Sequence, residues 1–548
     1  MAGRVAVIGA GSSGIAAVKV LEEAGFSHIV CFERRDVIGG LWHYHDETAR
    51  WVDEGCVNRG TVANTSKEIL AFSDYPMPDD YPNFCHNSMI DKYLNSYATH
   101  FGVHRFIRLN TEVTQVKKHS TFESTGRWEV TSRDFIHDKS ITEVFDYIII
   151  ANGNTAHPKR PSFPGQDKFR GKAMHSMDFK DSSGWEGKKC CVVGIGNSGT
   201  DIACELSDYS PVLLSVRSGA WFLNRLTYRG LPWDFSYHSR FQWIFYSWMP
   251  RMVHNTMKRR LYSQAVDHQL YGLNPPEAPD ASVQKITDEF PNKIACGLVK
   301  IKPNIREFTE TGIIFEDGSR EDDVDLVVFA TGYSFYFPFL DLKDLGVTKE
   351  VTDMKLYKHM WVPDMPHHTL VLLNAAQYAG AGFPNTELQS RLAAGVFKGD
   401  IRLPSSEKMK AEIARYEANL KARYVSQVRN PRRVEYLLYM DELASLVGCK
   451  PNLAWYLITD PILFLHLLFG PGVPYQYRLQ GPNIWPEARR AILTVMDRVR
   501  KPFENFQPPE AKRRTTSSHG ILGTSKYLFA GFIFCAMGYG AVANFMKH

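Results

Sequence analysis

At 548 residues the chain has room for roughly three or four domains of ~150 residues each. Apolar residues make up 44% and aromatics 13%, which excludes a mainly unstructured protein. With 64 basic and 59 acidic residues the net charge is +5, too mild for a protein whose work is wrapping nucleic acid. The 9 scattered cysteines hold no Cys-x-x-Cys pair, against both a zinc ribbon and a disulfide scaffold.

The chain opens Met-Ala-Gly-Arg and passes straight into an apolar run, without the basic start and long apolar stretch of a secretory signal. With cysteines so arranged, a reducing compartment fits best. Arg4 to Ile8 reads as a strand. Gly9, Gly11 and Gly14 follow in G-x-G-x-x-G spacing, with Ser12 and Ser13 between the last two. A helix then runs to about Ala24, with Ile15 and Val18 on one side and Lys19, Glu22 and Glu23 on the other. A second strand, His28 to Phe32, leads to Glu33, an acid about 20 residues past the last glycine, where a dinucleotide fingerprint places one. Glycine lets the backbone approach a pyrophosphate, the helix N-terminus favours its charge, and the carboxylate accepts from a ribose hydroxyl.

Further along, Asp146 to Gly153 is echoed by Asp325 to Gly332, each an apolar run of strand length ending in a small-residue turn. Between them the fingerprint recurs. Lys189 to Val193 leads into Gly194, Gly196 and Gly199, with Asn197 and Ser198 between the last two, and Thr200 and Asp201 continue a helix through Leu206. The next strand, Val212 to Val216, ends in Arg217 instead of an acid. A cation there accommodates a 2′-phosphate that a carboxylate would repel. The first turn therefore suits FAD or NAD, and the second suits NADPH.

The simplest parse is an α/β protein with two Rossmann-like dinucleotide-binding domains, the second inserted in the first. Residues 1–157 and 328–445 would form the FAD-binding domain and 158–327 the NADPH-binding domain. Residues 446–526 form a proline- and aromatic-rich, membrane-associated region, in which Ile462 to Phe469 is core or a surface patch dipping into the bilayer interface. From Tyr527 to Met546 no residue is charged; helical residues rise ~1.5 Å each, so this run reaches ~30 Å, one hydrocarbon core. Residues 527–548 are expected to be a transmembrane tail anchor. Lys512, Arg513 and Arg514 put the basic, cytosolic side on the catalytic body.

Several longer motifs carry a family resemblance. They are Gly39-Gly40-Leu41-Trp42, Asn64-Thr65-Ser66-Lys67-Glu68 and Asp79-Asp80-Tyr81-Pro82-Asn83-Phe84, with Phe169 to Phe179 in an F-x-G-x-x-x-H-x-x-x-[YF] pattern and Phe329-Ala330-Thr331-Gly332-Tyr333. With both fingerprints, nearly the whole chain resembles a flavin-containing monooxygenase of the membrane-bound animal type. The resemblance implies FAD and NADPH as cofactors, dioxygen as co-substrate, and a hydroperoxide on the flavin that gives one oxygen atom to a soft nucleophile. Substrates would be small lipophilic amines and sulfides. Asn64 matches the family asparagine between flavin and nicotinamide, where its amide can donate and accept. Gly40, Leu41, Trp42, Thr65, Thr331 and Gly332 would contact cofactor. The implied location is the endoplasmic reticulum membrane, with catalytic domains facing the cytosol. No nucleic acid and no metal are expected, and self-association into a homo-oligomer stays open.

The chain departs from the family at Ala63, where many relatives carry threonine, and at Ser218, where some carry a second arginine. His175 is read as a structural histidine at the domain junction. The aromatic stretch Phe235 to Met249 fits a substrate path, packing or membrane contact equally well. Gln377, Glu387 and Gln389 fall near the substrate end, with no individual role assigned. Two other activities stay open: Baeyer–Villiger oxidation of ketones, and an uncoupled NADPH oxidase or sensor. A flavin disulfide reductase is excluded by the missing cysteine pair.

Overall fold

The computed structural model describes residues 3–45, 54–155, 157–227, 230–263, 266–275, 277–281, 284–347, 354–423 and 432–504. Two five-stranded sheets organise the chain, and every pairing in both is parallel. The first runs in the order Leu370–Leu372, Tyr147–Ile150, Val5–Ile8, Ile29–Phe32, Ile107–Arg108. The second runs Val299–Lys302, Val212–Ser215, Cys190–Val193, Leu326–Phe329, Lys172–His175. Their central strands, VAVI and CCVV, are buried at every position, as continuous apolar runs must be when both faces of a sheet are covered.

The two sheets repeat one plan. In each, the fingerprint strand is followed by a helix, Ser12–Glu23 or Asn197–Leu206, and by the neighbouring parallel strand. Each then adds a three-stranded antiparallel meander, starting at Thr111–Lys118 in the first unit and at Ile305–Phe308 in the second. Each closes with the strand on the other side of the fingerprint strand. The echoed segments are these closing strands: Tyr147 lies opposite Val5, and Leu326 opposite Cys190. The second sheet lies in the chain between Ile150 and Leu370 of the first, and the ribbon pairing Tyr333 with Pro158 sits where the chain crosses in both directions.

This pairing corrects the boundary drawn at 327/328. It cuts through the strand Leu326–Phe329, which pairs on both sides within the second sheet, so the second unit extends through Phe329.

Residues after 446 pack onto the first unit through a buried charged cluster. Arg478, fully buried, meets Glu387 at 2.8 Å, Asp74 at 2.9 Å and Glu23 at 3.0 Å. Removing one partner of such a set leaves an uncompensated buried charge, so the cluster ties four distant segments into one geometry. Leu463 and Leu467 of the helix Pro461–Phe469 are buried while Ile462 and Leu465 are exposed, so the apolar run is core on one face and surface on the other. The expected anchor, 527–548, lies outside the described residues; no described helix is long and apolar enough to cross a membrane.

Candidate functional site

At the first turn Gly9 takes φ +101°, and a Cβ there would come within 2.7 Å of the Ala151 carbonyl oxygen. A Cβ on Gly14 would stand 1.8 Å from the Gly9 oxygen, so this glycine lets helix and strand touch. Gly11 is the opposite case. Its Cβ position meets nothing nearer than the Gly40 Cα at 3.6 Å, leaving room above the turn. The helix Ser12–Glu23 has no side-chain cap, so its first N–H groups are free to meet an anion. Glu33 sits buried beside them, its carboxylate accepting from the Ala10 N–H at 2.8 Å and the Arg35 N–H at 3.0 Å. Burial raises its pKa, and the two backbone bonds with Arg34 and Arg35 offset part of that. The short 3-10 turn Gly40–Trp42 folds over this turn, anchored by the Gly39 N–H donating to the Ala10 oxygen at 3.0 Å.

The second turn is sterically the same. Gly194 takes φ +111° against the Ala330 oxygen, and a Cβ on Gly199 would lie 2.0 Å from the Gly194 oxygen. The Gly196 position is open, and the helix Asn197–Leu206 again lacks a side-chain cap. Thr200 is buried, its hydroxyl donating to the Asn197 oxygen at 2.9 Å. Arg217 stands exposed at the end of its strand.

One cavity of about 540 Å³ joins the two turns. The first unit walls it with Gly9, Gly11, Ser12, Ser13 and Glu33, then with Gly40, Leu41 and Trp42 of the covering turn, and centrally with Asn64 and Thr65. From the second fingerprint only Asn197, Ser198 and Asp201 reach it. Desolvation lifts the Asp201 carboxyl to about 6, against the pull of Arg225. Gly14, Gly194, Gly196, Gly199, Thr200 and Arg217 lie outside the wall. Thr331 and Gly332, expected to contact cofactor, also do. The Thr331 hydroxyl donates to the Lys159 oxygen at 2.5 Å, and the Gly332 oxygen accepts from the Lys159 N–H at 2.9 Å, so both fasten the crossing between units. His175 belongs to the same crossing. Fully buried, it bonds the Gly332 oxygen through Nε2 and the Met177 N–H through Nδ1, and burial holds it near 4 and neutral.

Asn64 is held from three sides by a segment that sequence reasoning missed. Arg225 donates to its Oδ1 at 2.9 Å, Trp233 Nε1 donates to its backbone oxygen at 2.8 Å, and the adjacent Ser66 N–H donates to Asp234 at 2.7 Å. Asp234 is fully buried; desolvation raises it to about 7, with the bonds from Ser66 working the other way. No spacing rule signals this clamp, because its members are far from Asn64 in sequence. In the aromatic stretch, Phe235 is core and Trp248 is exposed, and neither walls the cavity. Glu387 accepts from Ser73 and pairs with Arg478, while Gln389 bonds Tyr378 and Tyr439, so both are framework residues.

Two nested dinucleotide-binding units facing one cavity define the class of fold, and comparison with known proteins sets the family. The model described as flavin-binding monooxygenase-like matches residues 2–536. Flavin-containing monooxygenase 5 of Homo sapiens is 42% identical over 532 residues, covering 96% of this chain and 97% of that one. Dimethylaniline monooxygenase (N-oxide-forming) 2 of Oryctolagus cuniculus is 40% identical, covering 92% and 94%. Among solved structures, S-allyl-L-cysteine S-oxygenase from Allium sativum superposes with a TM-score of 0.60 at 21% identity, covering 84% and 94%. Cyclohexanone monooxygenase superposes with 0.61 at 17% identity, covering 81% and 98%. The chain belongs to the flavin-binding monooxygenase-like family. It is a flavin-dependent monooxygenase using FAD and NADPH, and the open Gly11 cradle, the uncapped helix N-terminus and Glu33 suit a flavin dinucleotide at the first turn.

Proposed function

We propose that the enzyme transfers one oxygen atom from dioxygen to soft nucleophiles, the amine nitrogens and sulfide sulfurs of small lipophilic molecules, with NADPH as reductant. Bound FAD supplies the dioxygen chemistry, and the protein supplies binding, orientation and exclusion of water. The first turn holds FAD, with Ser12 and Ser13 N–H groups on the pyrophosphate and Glu33 on the ribose. Asn197, Ser198 and Asp201 approach NADPH, with Arg217 on its 2′-phosphate.

The observation that carries this reading is the state of Asn64. Arginine only donates, so the Asn64 oxygen is committed to Arg225 and the Nδ2 hydrogens remain for the cavity. A donor fixed before charge develops, in a site shielded from water, is the arrangement oxygen transfer needs.

We also propose attachment to the endoplasmic reticulum membrane, catalytic units on the cytosolic side, through the charge-free tail and, separately, an exposed apolar face of the described helices. That face gathers Trp248, Trp455, Ile458 and Ile462, with Trp248 85% and Ile458 81% exposed, from helices locked together where Phe241 packs on Phe469 at 4.8 Å. Arg259 and Arg260 are exposed on the adjoining helix, suiting an anionic surface.

The test is stoichiometry. Purified enzyme with FAD, NADPH and dioxygen should give one N-oxide or S-oxide per NADPH with a tertiary amine or thioether. Ester formation from a ketone at a higher rate would make Baeyer–Villiger oxidation the activity. Peroxide in place of any product would make the chain an oxidase. For the membrane, removal from Lys526 onward should weaken attachment, and Ile458→Asp in that truncated form should weaken it further.

A further inference from the structure

One thiol stands apart from the other described cysteines. Cys31, Cys85, Cys190, Cys191, Cys204 and Cys449 are buried and off the cavity wall, and burial pushes all six thiols up. Cys296 is exposed on the outside. Cys56, only 5% exposed, is on the cavity wall. The Lys180 ammonium donates to its sulfur with Nζ 2.8 Å away. The two residues come from different units. Cys56 adjoins Val57, whose N–H donates to the oxygen of Leu41 in the turn over the first fingerprint. Lys180 follows Phe179, part of the core of the second sheet. The strands of chain that carry them already run side by side: the Arg59 N–H donates to the Lys180 oxygen at 3.0 Å, and the Arg59 side chain pairs with Asp181 at 3.2 Å.

We propose that Cys56 and Lys180 are a covalent modification site, at which hydrogen peroxide reaching the cavity converts the thiol–amine contact into a sulfur–nitrogen cross-link between the two nucleotide-binding units. The Cys56 sulfur attacks one peroxide oxygen, the O–O bond breaks, and the departing hydroxide takes the thiol proton as water, leaving a sulfenic acid. Lys180, having released one ammonium proton to solvent, attacks that sulfur through Nζ. The S–O bond breaks, and hydroxide leaves with an N–H proton as a second water. Sulfur loses two electrons, peroxide gains them, and the protein loses two hydrogens. Sulfenic acids condense with a nearby nitrogen in this manner, and a reducing thiol reverses the product. Here the nitrogen is already in contact, so the sulfenic acid is captured before a second peroxide can carry it to the irreversible sulfinic stage.

The experiment treats holoenzyme with stepped hydrogen peroxide, quenches with catalase, digests without reductant and maps the peptides by mass. A peptide joining Cys56 to Lys180, lighter by two hydrogens than its separate halves and opened by dithiothreitol, is the expected result. Cys56→Ser should abolish it. Lys180→Arg keeps the charge but should leave Cys56 as a sulfenic acid, with dimedone labelling several-fold above wild type. Two results would overturn the proposal: Cys56 staying reduced at doses that oxidise Cys296, or dimedone labelling Cys56 equally in wild type and Lys180→Arg.

Discussion

Gly14 brings its helix against the Gly9 carbonyl, and Gly199 does the same against Gly194, with Cβ clearances of 1.8 and 2.0 Å that leave no room for any other residue. The two turns are copies in steric terms and differ in what surrounds them. The first is roofed by the Gly40–Trp42 turn and ends at a buried carboxylate. At the second, a Cβ on Gly196 meets nothing within 4 Å among the described residues, and the strand that follows runs out to an exposed arginine. Glycine spacing thus specifies how strand and helix pack. The ligand and its hold on the protein depend on the covering loop and the strand-end charge. A roofed site suits a cofactor that stays through many turnovers, and an open one suits a cofactor that exchanges.

The hardest test of that comparison is to damage each turn separately. Gly14→Ala forces a Cβ into backbone and should cost 4 kcal/mol or more, about the upper end for a single substitution. The expected product is apoprotein, read by the loss of flavin absorbance per chain. Gly199→Ala should strain the second unit as much while flavin is retained and NADPH binding is lost. Equal loss of flavin in both variants would mean that the units fold only as one.

The seam between the units should carry a pH signature at Asp234. The folded protein holds this proton up to about pH 7, against 3.8 for an ordinary aspartate. A raised folded-state pKa contributes stability that is complete below the unfolded value and lost as pH rises through the folded one. Across that window the linkage is of the order of 4 kcal/mol. Asp234→Asn keeps an acceptor for Ser66 without the charge. Its stability in denaturant titrations should therefore gain on wild type from pH 4 to about pH 7 and level off above that. Parallel pH curves would show that Asp234 is not the titrating group.

Asn64 lines the cavity that joins the two turns. Losing one preorganised donor costs ~2.7–4 kcal/mol, a hundred- to a thousandfold. Asn64→Ser should lower product formed per NADPH while NADPH consumption continues and peroxide accumulates. Asn64→Asp should be worse, since it places a negative charge where charge develops. Coupling unchanged in the serine variant would reduce Asn64 to a turn residue.

The smallest expected effect is at the open end of the second site. One charge-assisted contact to phosphate is worth ~1.5–3 kcal/mol, about ten- to a hundredfold. Arg217→Ala should raise KM for NADPH by that factor and leave KM for NADH in place. A matching rise for both cofactors would put Arg217 elsewhere than on the 2′-phosphate.

Both fingerprint turns, their strands and helices, and the switch from Glu33 to Arg217 were legible in the sequence. Each depends on neighbours within about 20 residues, where steric rules leave a pattern in adjacent positions. The echoed closing strands were legible for the same reason, since a strand buried on both faces must be apolar throughout. Where the second unit ends was not, because Leu326–Phe329 reads alike beside either sheet and only its pairing with Cys190–Val193 and Lys172–His175 decides. Nor did any pattern foretell the grip of Arg225 on Asn64, 161 positions away, or the contact of Lys180 with Cys56, 124 positions away. Side chains brought together only by the docking of two units impose no spacing on the chain, so the orientation of the Asn64 amide and the chemistry of the seam are properties of the tertiary structure alone.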